Sequence, residues 1–221
     1  MSHLQKLTPL QRYVRDQFHP EDELLQTIQE GIREHQKPLM NIGPEQGRML
    51  QVLMAAIGAE HVLEIGTFFG YSAVWIGRAL PPDGTLLCLE VSREHADIAQ
   101  GFLDQAGLAD QVEVRVGPAI GLLPEIEASA PFDMIFLDAD RESYPSYLPW
   151  IEAYLRPGGL LVIDNAFAGG RLATANGGEN ASPGVKGMNT LLTAIALSDR
   201  WTGTIMPYED GLAVAVFEPG K

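Results

Sequence analysis

Cysteine and basic residues are scarce in this sequence of 221 residues, and it has no long hydrophobic run. The single cysteine, Cys88, excludes an internal disulfide and is typical of a reducing compartment. No stretch approaches the roughly 18 consecutive apolar residues of a membrane-spanning helix, and the first residues lack the apolar core of a secretory signal. These absences predict a cytoplasmic protein.

The scarcity of positive charge gives the chain a formal net charge of −14, from 15 Lys and Arg against 29 Asp and Glu. A surface this acidic repels nucleic-acid phosphates and anionic lipid headgroups. The charge therefore argues against nucleic acid and membranes as partners, and it is compatible with a small-molecule substrate and a bound cation.

Helices dominate the N-terminal part of the sequence, and strands alternate with helices after it. Apolar residues at helical spacing predict three helices in residues 1–58. From residue 59 onward, apolar runs alternate with helical segments, which is typical of a parallel sheet covered by helices on both faces. The predicted strands are 62–65, 85–90, 112–116, 134–137 and 160–163, and the predicted helices lie near 71–80, 93–106, 119–127 and 144–155.

The C-terminal part departs from this alternation. Residues 201–206 and 212–217 are strand-like and predict an antiparallel hairpin. Residues 166–187 are rich in Gly, Asn, Ser and Ala and predict a long lid or binding loop. The predicted fold class is α/β: one doubly wound, Rossmann-like domain over residues 1–221, with a mostly parallel seven-stranded sheet, an antiparallel C-terminal hairpin and N-terminal helices.

A turn that begins at Gly66 and ends at Gly70 connects the first predicted strand to the next helix. Such turns in open sheets form the crevice in which ligands bind. A pyrophosphate binder needs a glycine in the middle of this turn, where the chain has Phe68, and Glu64 adds a negative charge. Glu90, at the end of the second strand, can accept hydrogen bonds from ribose hydroxyls. Together these residues favour S-adenosylmethionine over a nicotinamide cofactor.

Polar side chains follow two further strands. Asp138 ends the fourth strand, and Asp164 and Asn165 end the fifth. Adjacent parallel strands lie about 4.8 Å apart, so these side chains can converge. Two carboxylates and an amide oxygen suit Mg²⁺, Mn²⁺ or Ca²⁺ rather than zinc. The alternative is that Asp138 caps the next helix and that Asp164 and Asn165 form a turn.

Several segments of the chain resemble the cation-dependent O-methyltransferases, a family that includes catechol and caffeoyl-CoA O-methyltransferases. They are residues 64–72, 117–119, 138–140, 156–159 and 164–165. The resemblance implies an S-adenosylmethionine-dependent O-methyltransferase that uses Mg²⁺ to methylate a catechol-type hydroxyl of a small aromatic diol, and it also implies a homodimer. The alternatives are a metal-independent methyltransferase of the same fold and a non-catalytic cofactor-binding module.

The resemblance also implies a role for each matching residue. Asp138, Asp164 and Asn165 are the expected metal ligands, and Asp138 and Arg141 the expected catalytic residues. The expected cofactor-binding residues are Met40, Ile42, Glu64, Gly66, Phe68, Tyr71, Ser72, Glu90, Val91, Gly117, Pro118, Ala119, Asp138 and Asp140.

Arg141 departs from the family pattern, because many members have a lysine there that is thought to accept the phenol proton. A guanidinium stays protonated at any working pH, so Arg141 cannot be that base. We hypothesise that the metal acidifies the hydroxyl, Arg141 stabilises the phenolate and solvent accepts the proton, with Asp140 as a further candidate base.

The acceptor pocket is expected to be lined by residues 38–41, 166–187 and 207–210. In the second of these loops Phe167 could stack on a substrate ring or pack in the core. Arg171 could face the substrate or solvent. None of the five histidines is expected near the strand ends, so none is predicted to take part in catalysis.

Overall fold

Three helices precede the first strand, as predicted. In the computed structural model, which describes residues 8–18, 21–172 and 181–220, they are α1 (Pro9–Phe18), α2 (Glu23–Glu34) and α3 (Pro44–Ile57). The Asp22 carboxylate caps α2 by accepting a hydrogen bond from the Leu25 backbone N–H. Helix α2 then buries one apolar face, formed by Leu25, Ile28 and Ile32.

Strands and helices alternate through the rest of the chain, and the predicted strands are confirmed to within a few residues. Two short 3₁₀ turns, Leu123–Ser129 and Arg141–Ser143, precede β4 and α7. The elements are β1 (His61–Ile65), α4 (Tyr71–Gly77), β2 (Thr85–Glu90), α5 (Arg93–Gln105), β3 (Val112–Val116), α6 (Ala119–Leu122), β4 (Phe132–Leu137), α7 (Tyr144–Tyr154), β5 (Leu155–Ile163), α8 (Pro183–Leu197), β6 (Trp201–Met206) and β7 (Leu212–Phe217).

The described residues form one seven-stranded sheet of order β3-β2-β1-β4-β5-β7-β6. The first five strands along the chain are parallel, while β7 runs antiparallel to both β5 and β6. The predicted fold class is therefore confirmed. The strand order reverses direction between β1 and β4, and open sheets of this kind bind ligands beyond the carboxyl ends of the strands at such a switch point.

Apolar side chains cover both faces of the sheet and hold the strand ends in place. One cluster packs α2, α3 and α4 against one face, with Ile28, Leu50 and Val74 among its buried members. The other packs α7 and α8 against the opposite face, with Tyr147 and Leu191 among its members. Burial on both faces explains why the parallel strands are continuous apolar runs.

The prediction of a loop over residues 166–187 is wrong at its C-terminal end, because α8 begins at Pro183. Proline at the first helical position is a favourable start, but Gly184 and Gly187 lower the intrinsic helix propensity of the segment. A Cβ at Gly187 would overlap the carbonyl of Arg141, so glycine allows α8 to pack closely against the 3₁₀ turn. Residues 173–180 lie outside the described part. Among the described helices, none is long and apolar enough to cross a membrane.

Candidate active site

A cavity of about 1400 Å³ opens at the carboxyl edge of the sheet, where β1 and β4 are neighbours. Its lining includes Gly66, Glu90, Asp138 and Asn165, each of which ends a parallel strand or lies within two residues of its end. Ordinary ligand pockets have volumes of about 300–1000 Å³. The cavity therefore has room for a cofactor and a second small molecule.

Most residues predicted to bind the cofactor line this cavity. They are Met40, Gly66, Phe68, Tyr71, Ser72, Glu90, Val91, Gly117, Pro118, Ala119, Asp138 and Asp140. Ile42 and Glu64 are the two exceptions, because their side chains are buried behind the cavity wall with 2% and 0% exposure. The structure therefore does not support direct contact of these two side chains with a ligand.

The turn between β1 and α4 is shaped by Glu90. The Glu90 Oε2 accepts hydrogen bonds from the backbone N–H groups of Thr67 (3.2 Å) and Phe68 (2.8 Å). The Ser92 N–H donates to Oε1 at 2.9 Å. A carboxylate offers about four acceptor positions, so these bonds leave further capacity on Oε1. Glu90 thus joins the ends of two strands and keeps an acceptor for a ligand hydroxyl.

Glu64 supports the same turn from inside the protein. The Thr67 hydroxyl donates to Glu64 Oε2 at 2.7 Å, and Oε1 has no hydrogen-bond partner among the described residues. Burial raises the pKa of the Glu64 carboxyl above its ordinary value, although hydrogen bonds from Ser72 and Thr67 partly offset the effect. Glu64 is therefore separated from any ligand in the cavity by the residues of the turn.

Tyr71 connects the turn to the N-terminal helices. Its hydroxyl donates to Glu21 Oε1 at 2.6 Å, although the resemblance implied a contact with the cofactor carboxylate. The ring still lines the cavity, as does Ser72. The hydroxyl of Tyr71 therefore positions the segment before α2, and Ser72 is the better candidate for a polar contact with a ligand.

Asp138 and Asp164 lie side by side because β4 and β5 pair with Leu137 opposite Ile163. The Asp164 N–H donates to the Leu137 carbonyl at 3.1 Å, which fixes this register up to the carboxylates. Gln46 of α3 donates to Asp164 Oδ1 at 2.6 Å. The Asp138 carboxylate has no hydrogen-bond donor among the residues that the structure describes, so its charge is poorly compensated within the protein.

The two carboxyls resist ionisation in the absence of a cation. Burial, followed by repulsion from the Asp164 carboxylate, raises the pKa of Asp138 well above its ordinary value. Burial also raises the pKa of Asp164 to about 6, against the hydrogen bonds from Asn165 and Gln46. Burial is the main cause of both shifts, and the positive charge of Arg141 offsets it only in part.

Arg141 supplies this positive charge. Its Nη2 donates to Asn165 Oδ1 at 2.9 Å, and the guanidinium also lowers the pKa of Asp138 and Asp164. Asn165 adopts a positive φ of 52°, a conformation that asparagine tolerates. Asn165 and Arg141 line the cavity together with Asp138, whereas Asp164 is 2% exposed and lies behind them.

The metal prediction depends on the amide of Asn165. Among the described residues, no group of three His, Cys, Asp or Glu side chains could hold a metal. The candidate ligand set therefore has only two carboxylates. Its third oxygen is also the one that accepts the hydrogen bond from Arg141.

Two of the loops that are expected to line an acceptor pocket do line this cavity. Met40 and Asn41 come from the first loop, and Glu209 and Asp210 from the β6–β7 connection. The Asp210 carboxylate accepts from the Gly169 N–H at 2.8 and 2.7 Å, which joins this connection to the segment after β5.

The two candidate substrate contacts after β5 have different positions. Arg171 lines the cavity and donates from Nε to the Ala168 carbonyl at 2.8 Å. Phe167 does not line the cavity, because its ring packs over Gly211. This position favours a packing role for Phe167 over stacking on a ligand in the cavity.

The expectation that no histidine lies near the strand ends is wrong for His95. Its side chain lines the cavity, and its Nδ1 lies 3.6 Å from Glu90 Oε1. The signal in the sequence is Ser92, which caps α5 and places His95 in the first helical turn after β2. The first turn of a helix that follows a parallel strand faces the ligand-binding edge of the sheet.

The strand order and the position of the cavity place the chain among the Rossmann-like α/β enzymes. The family described as O-methyltransferase matches residues 15–216. The chain belongs to this O-methyltransferase family. The predicted family and the predicted enzyme class, an S-adenosylmethionine-dependent O-methyltransferase, are therefore confirmed. The alternative of a non-catalytic cofactor-binding module is not supported.

Individual relatives agree with this assignment. A catechol O-methyltransferase of Niastella koreensis is 38% identical over 208 residues, which cover 92% of this chain and 94% of the relative. An O-methyltransferase from Bacillus cereus in complex with SAH has a TM-score of 0.88 and 35% identity, covering 96% of this chain and 98% of that one. An O-methyltransferase from Streptomyces achromogenes involved in tomaymycin synthesis, in complex with SAM, has a TM-score of 0.90 and 33% identity, covering 99% and 100%.

Proposed function

We propose that this enzyme transfers the methyl group of S-adenosylmethionine to a catechol-type hydroxyl of a small aromatic substrate, with a divalent cation held by Asp138, Asp164 and Asn165. The observation that carries the proposal is that the Asp138 carboxylate and the Glu90 turn face one cavity large enough for both ligands. The relative named catechol O-methyltransferase supports the substrate class.

The cofactor assignment rests on the turn at the end of β1. S-adenosylmethionine contains a ribose, for which Glu90 Oε1 keeps an acceptor position. The solved relatives contain SAH or SAM, which supports the same cofactor here. Its sulfonium makes the methyl group electrophilic and leaves as a neutral thioether, so the protein needs no covalent intermediate. An acidic cavity also suits its positive charge.

The candidate metal ligands fit a hard cation. Asp138 has no hydrogen-bond donor among the described residues, and its pKa is raised by burial and by the adjacent Asp164 carboxylate. Oxygen ligands of this kind prefer Mg²⁺ and related ions. When bound there, such an ion would lower the pKa of a coordinated catechol hydroxyl and fix its orientation.

The chain's own residues provide positioning and charge. The Arg141 guanidinium stabilises the phenolate that forms when the acceptor hydroxyl loses its proton, while its contact with Asn165 fixes its direction. Gln46 restrains Asp164 through its bond to Oδ1. Solvent accepts the acceptor's proton, with Asp140, which lines the cavity, as the other candidate base. Positioning of the two reactants accounts for most of the acceleration.

Removal of divalent ions tests the proposal. We expect EDTA to lower methyl transfer to catechols by at least about 100-fold, because a metal contributes several kcal/mol to such reactions. Added Mg²⁺ in excess should restore the rate. The measurement is formation of methylated product over a panel of catechols, each paired with the matching monophenol as a control that cannot chelate.

The outcomes separate the two enzyme hypotheses. Loss of methyl transfer in EDTA, together with a preference for diols over monophenols, supports the metal-dependent reaction. Full activity in EDTA would instead establish the metal-independent alternative. A panel in which no catechol is methylated would contradict the acceptor class.

Thermal unfolding provides a second prediction for the cation. The ordinary pKa of an aspartate is 3.8, whereas Asp164 in the folded protein has a pKa of about 6. Between these values the folded state holds more protons than the unfolded state, so the contribution of this group to the free energy of unfolding falls as pH rises through this window. Bound Mg²⁺ requires ionised carboxylate ligands, and it offsets the loss of stability that their ionisation causes.

We therefore expect saturating Mg²⁺, at about 100 times its Kd, to raise the Tm by about 5 to 10 °C at about pH 8 and much less at about pH 5. Differential scanning fluorimetry at both pH values, with NaCl matched for ionic strength, is the measurement. The variant Asp138→Asn is the control and should lose the shift. An equal shift in wild type and variant would contradict binding at this site.

Two other inferences stay predictions. The homodimer follows from the family resemblance, and the cytoplasmic location follows from the cysteine content and the charge.

A further inference from the structure

His95 faces the cavity, and neither the family resemblance nor the proposed mechanism assigns it a function. It lies in the first turn of α5, where its backbone N–H donates to the capping Ser92 hydroxyl at 3.3 Å. Its side chain is 20% exposed and lines the same cavity as Glu90. The capped helix start fixes its backbone, so the ring has a defined position next to Glu90.

His95 contacts Glu90 at Oε1, the carboxylate oxygen that can still accept further hydrogen bonds. Backbone N–H groups of Thr67 and Phe68 both donate to Oε2, whereas within the described part of the chain Oε1 receives only the Ser92 N–H. His95 Nδ1 lies 3.6 Å from Oε1, slightly beyond hydrogen-bonding distance. The imidazole therefore limits the positions that Oε1 can take while it accepts a ligand hydroxyl.

The other side of the His95 ring is occupied by the turn itself. Its ring meets Phe68 edge-on, with centroids 4.9 Å apart, and Phe69 with centroids 5.5 Å apart. Phe68 has a positive φ of 51°, which is unfavourable for an aromatic residue unless its surroundings hold it. His95 thus contacts both Phe68 and the carboxylate that binds the N–H of Phe68.

We propose that His95 is a positioning residue of the cofactor site, which holds Glu90 Oε1 and the Phe68 turn in the arrangement that accepts the cofactor ribose. The inference rests on the proposed S-adenosylmethionine site. His95 acts through Glu90 and contacts neither the transferred methyl group nor the methyl acceptor. Its loss should therefore weaken cofactor binding and leave the rate at saturating cofactor unchanged.

Calorimetric titration with S-adenosylhomocysteine tests the inference without turnover. His95→Phe keeps the ring and removes the nitrogen, whereas His95→Asn keeps a nitrogen near Nδ1 and removes the ring. We expect His95→Phe to weaken binding about tenfold and His95→Asn to remain within about threefold of wild type, because a polar group facing the charged Glu90 oxygen contributes more than the edge contact of the ring. In kinetics, the KM for S-adenosylmethionine should rise while kcat stays unchanged.

His35→Phe is the matched control. His35 makes the same kind of edge contact with Phe69, with centroids 5.2 Å apart, but it does not line the cavity or contact Glu90. Its affinity for S-adenosylhomocysteine should equal that of wild type. A tenfold loss in this control would show that replacing either histidine that packs on Phe69 disturbs the turn without any Glu90 contact, and would overturn the inference.

A double-mutant cycle with Glu90→Gln completes the test. If His95 acts through Glu90, then His95→Phe should cause little further loss in the Glu90→Gln background. Full additivity would overturn the inference, as would wild-type affinity in His95→Phe. A wild-type protein that fails to bind S-adenosylhomocysteine would overturn the proposed cofactor, and with it this inference.

Discussion

Replacing Asp138 by asparagine is expected to lower kcat/KM for methyl transfer about 1000-fold while the protein remains folded. Asparagine keeps the size of the side chain and removes its charge, which the proposed cation requires. Burial and then the adjacent Asp164 carboxylate raise the pKa of Asp138, so its charge costs stability in the metal-free protein. The Tm of the metal-free variant should therefore equal or exceed that of wild type.

Asp133→Asn is the matched control, because Asp133 lies on the same strand near its opposite end. Burial alone would raise the pKa of Asp133, but the His61 N–H, Arg156 and the Glu60 N–H hold it below the ordinary value. A lowered pKa means that this carboxylate stabilises the fold above its unfolded pKa, and that the contribution is lost as pH falls.

The two variants should thus have opposite effects. Asp133→Asn should lower the free energy of unfolding by about 1 to 3 kcal/mol and keep kcat/KM near wild type below its Tm. Steady-state kinetics with saturating Mg²⁺ and thermal melts without it measure the two effects. Retained activity in Asp138→Asn would contradict the catalytic role of this carboxylate. A lowered Tm with lost activity would indicate a structural role instead.

Gly66→Ala is expected to have the second large effect, a loss of about 3 kcal/mol or more in the free energy of unfolding together with the loss of cofactor binding. Gly66 has a φ of 93° and lies between β2 and β4, where its N–H donates to the Leu89 carbonyl at 2.9 Å. A Cβ there would overlap the carbonyl of Asp138. The turn or the end of β4 must move to relieve the overlap, and both line the cavity.

Gly58→Ala separates this overlap from backbone strain. Gly58 also has a positive φ, 61°, as it ends α3, but a Cβ there would meet no atom within 4 Å. Alanine should cost about 1 kcal/mol at Gly58, from the left-handed conformation alone, and activity should not change. Thermal melts and calorimetry with S-adenosylhomocysteine compare the two variants. Equal effects would show that strain, not close packing against Asp138, explains the requirement for glycine at position 66.

Local patterns in the sequence predicted most of the fold. The apolar runs of β1 to β5 are recognisable because a parallel sheet buried on both faces needs continuous apolar strands. Turn and cap residues, such as Gly66 and Gly70, mark where those strands end. Side chains after the strand ends were therefore predicted to meet, and Glu90, Asp138 and Asn165 do line one cavity.

The missed features all depend on contacts between distant segments. Helix α8 was predicted in part as loop because its glycines have low helix propensity, yet Gly187 is needed for packing against the carbonyl of Arg141. The hydroxyl of Tyr71 binds Glu21, and the amide of Gln46 binds Asp164, across gaps in sequence that no periodicity reveals. The sequence pattern does not reveal the position of His95 in the cavity, because it does not place α5 relative to Glu90.

Local sequence patterns alone predict which segments form strands, which turns need glycine, and which acids follow the strands. These properties are local, because backbone conformation and hydrophobic periodicity depend on residues near one another in the chain. Which of these acids face the cavity, and which have a hydrogen-bond donor or a positive charge beside them, depends on the tertiary structure. Glu64 is buried behind the wall, Asp138 lacks a donor among the described residues, and Arg141 turns toward Asn165, since burial and charge pairing depend on how distant segments pack.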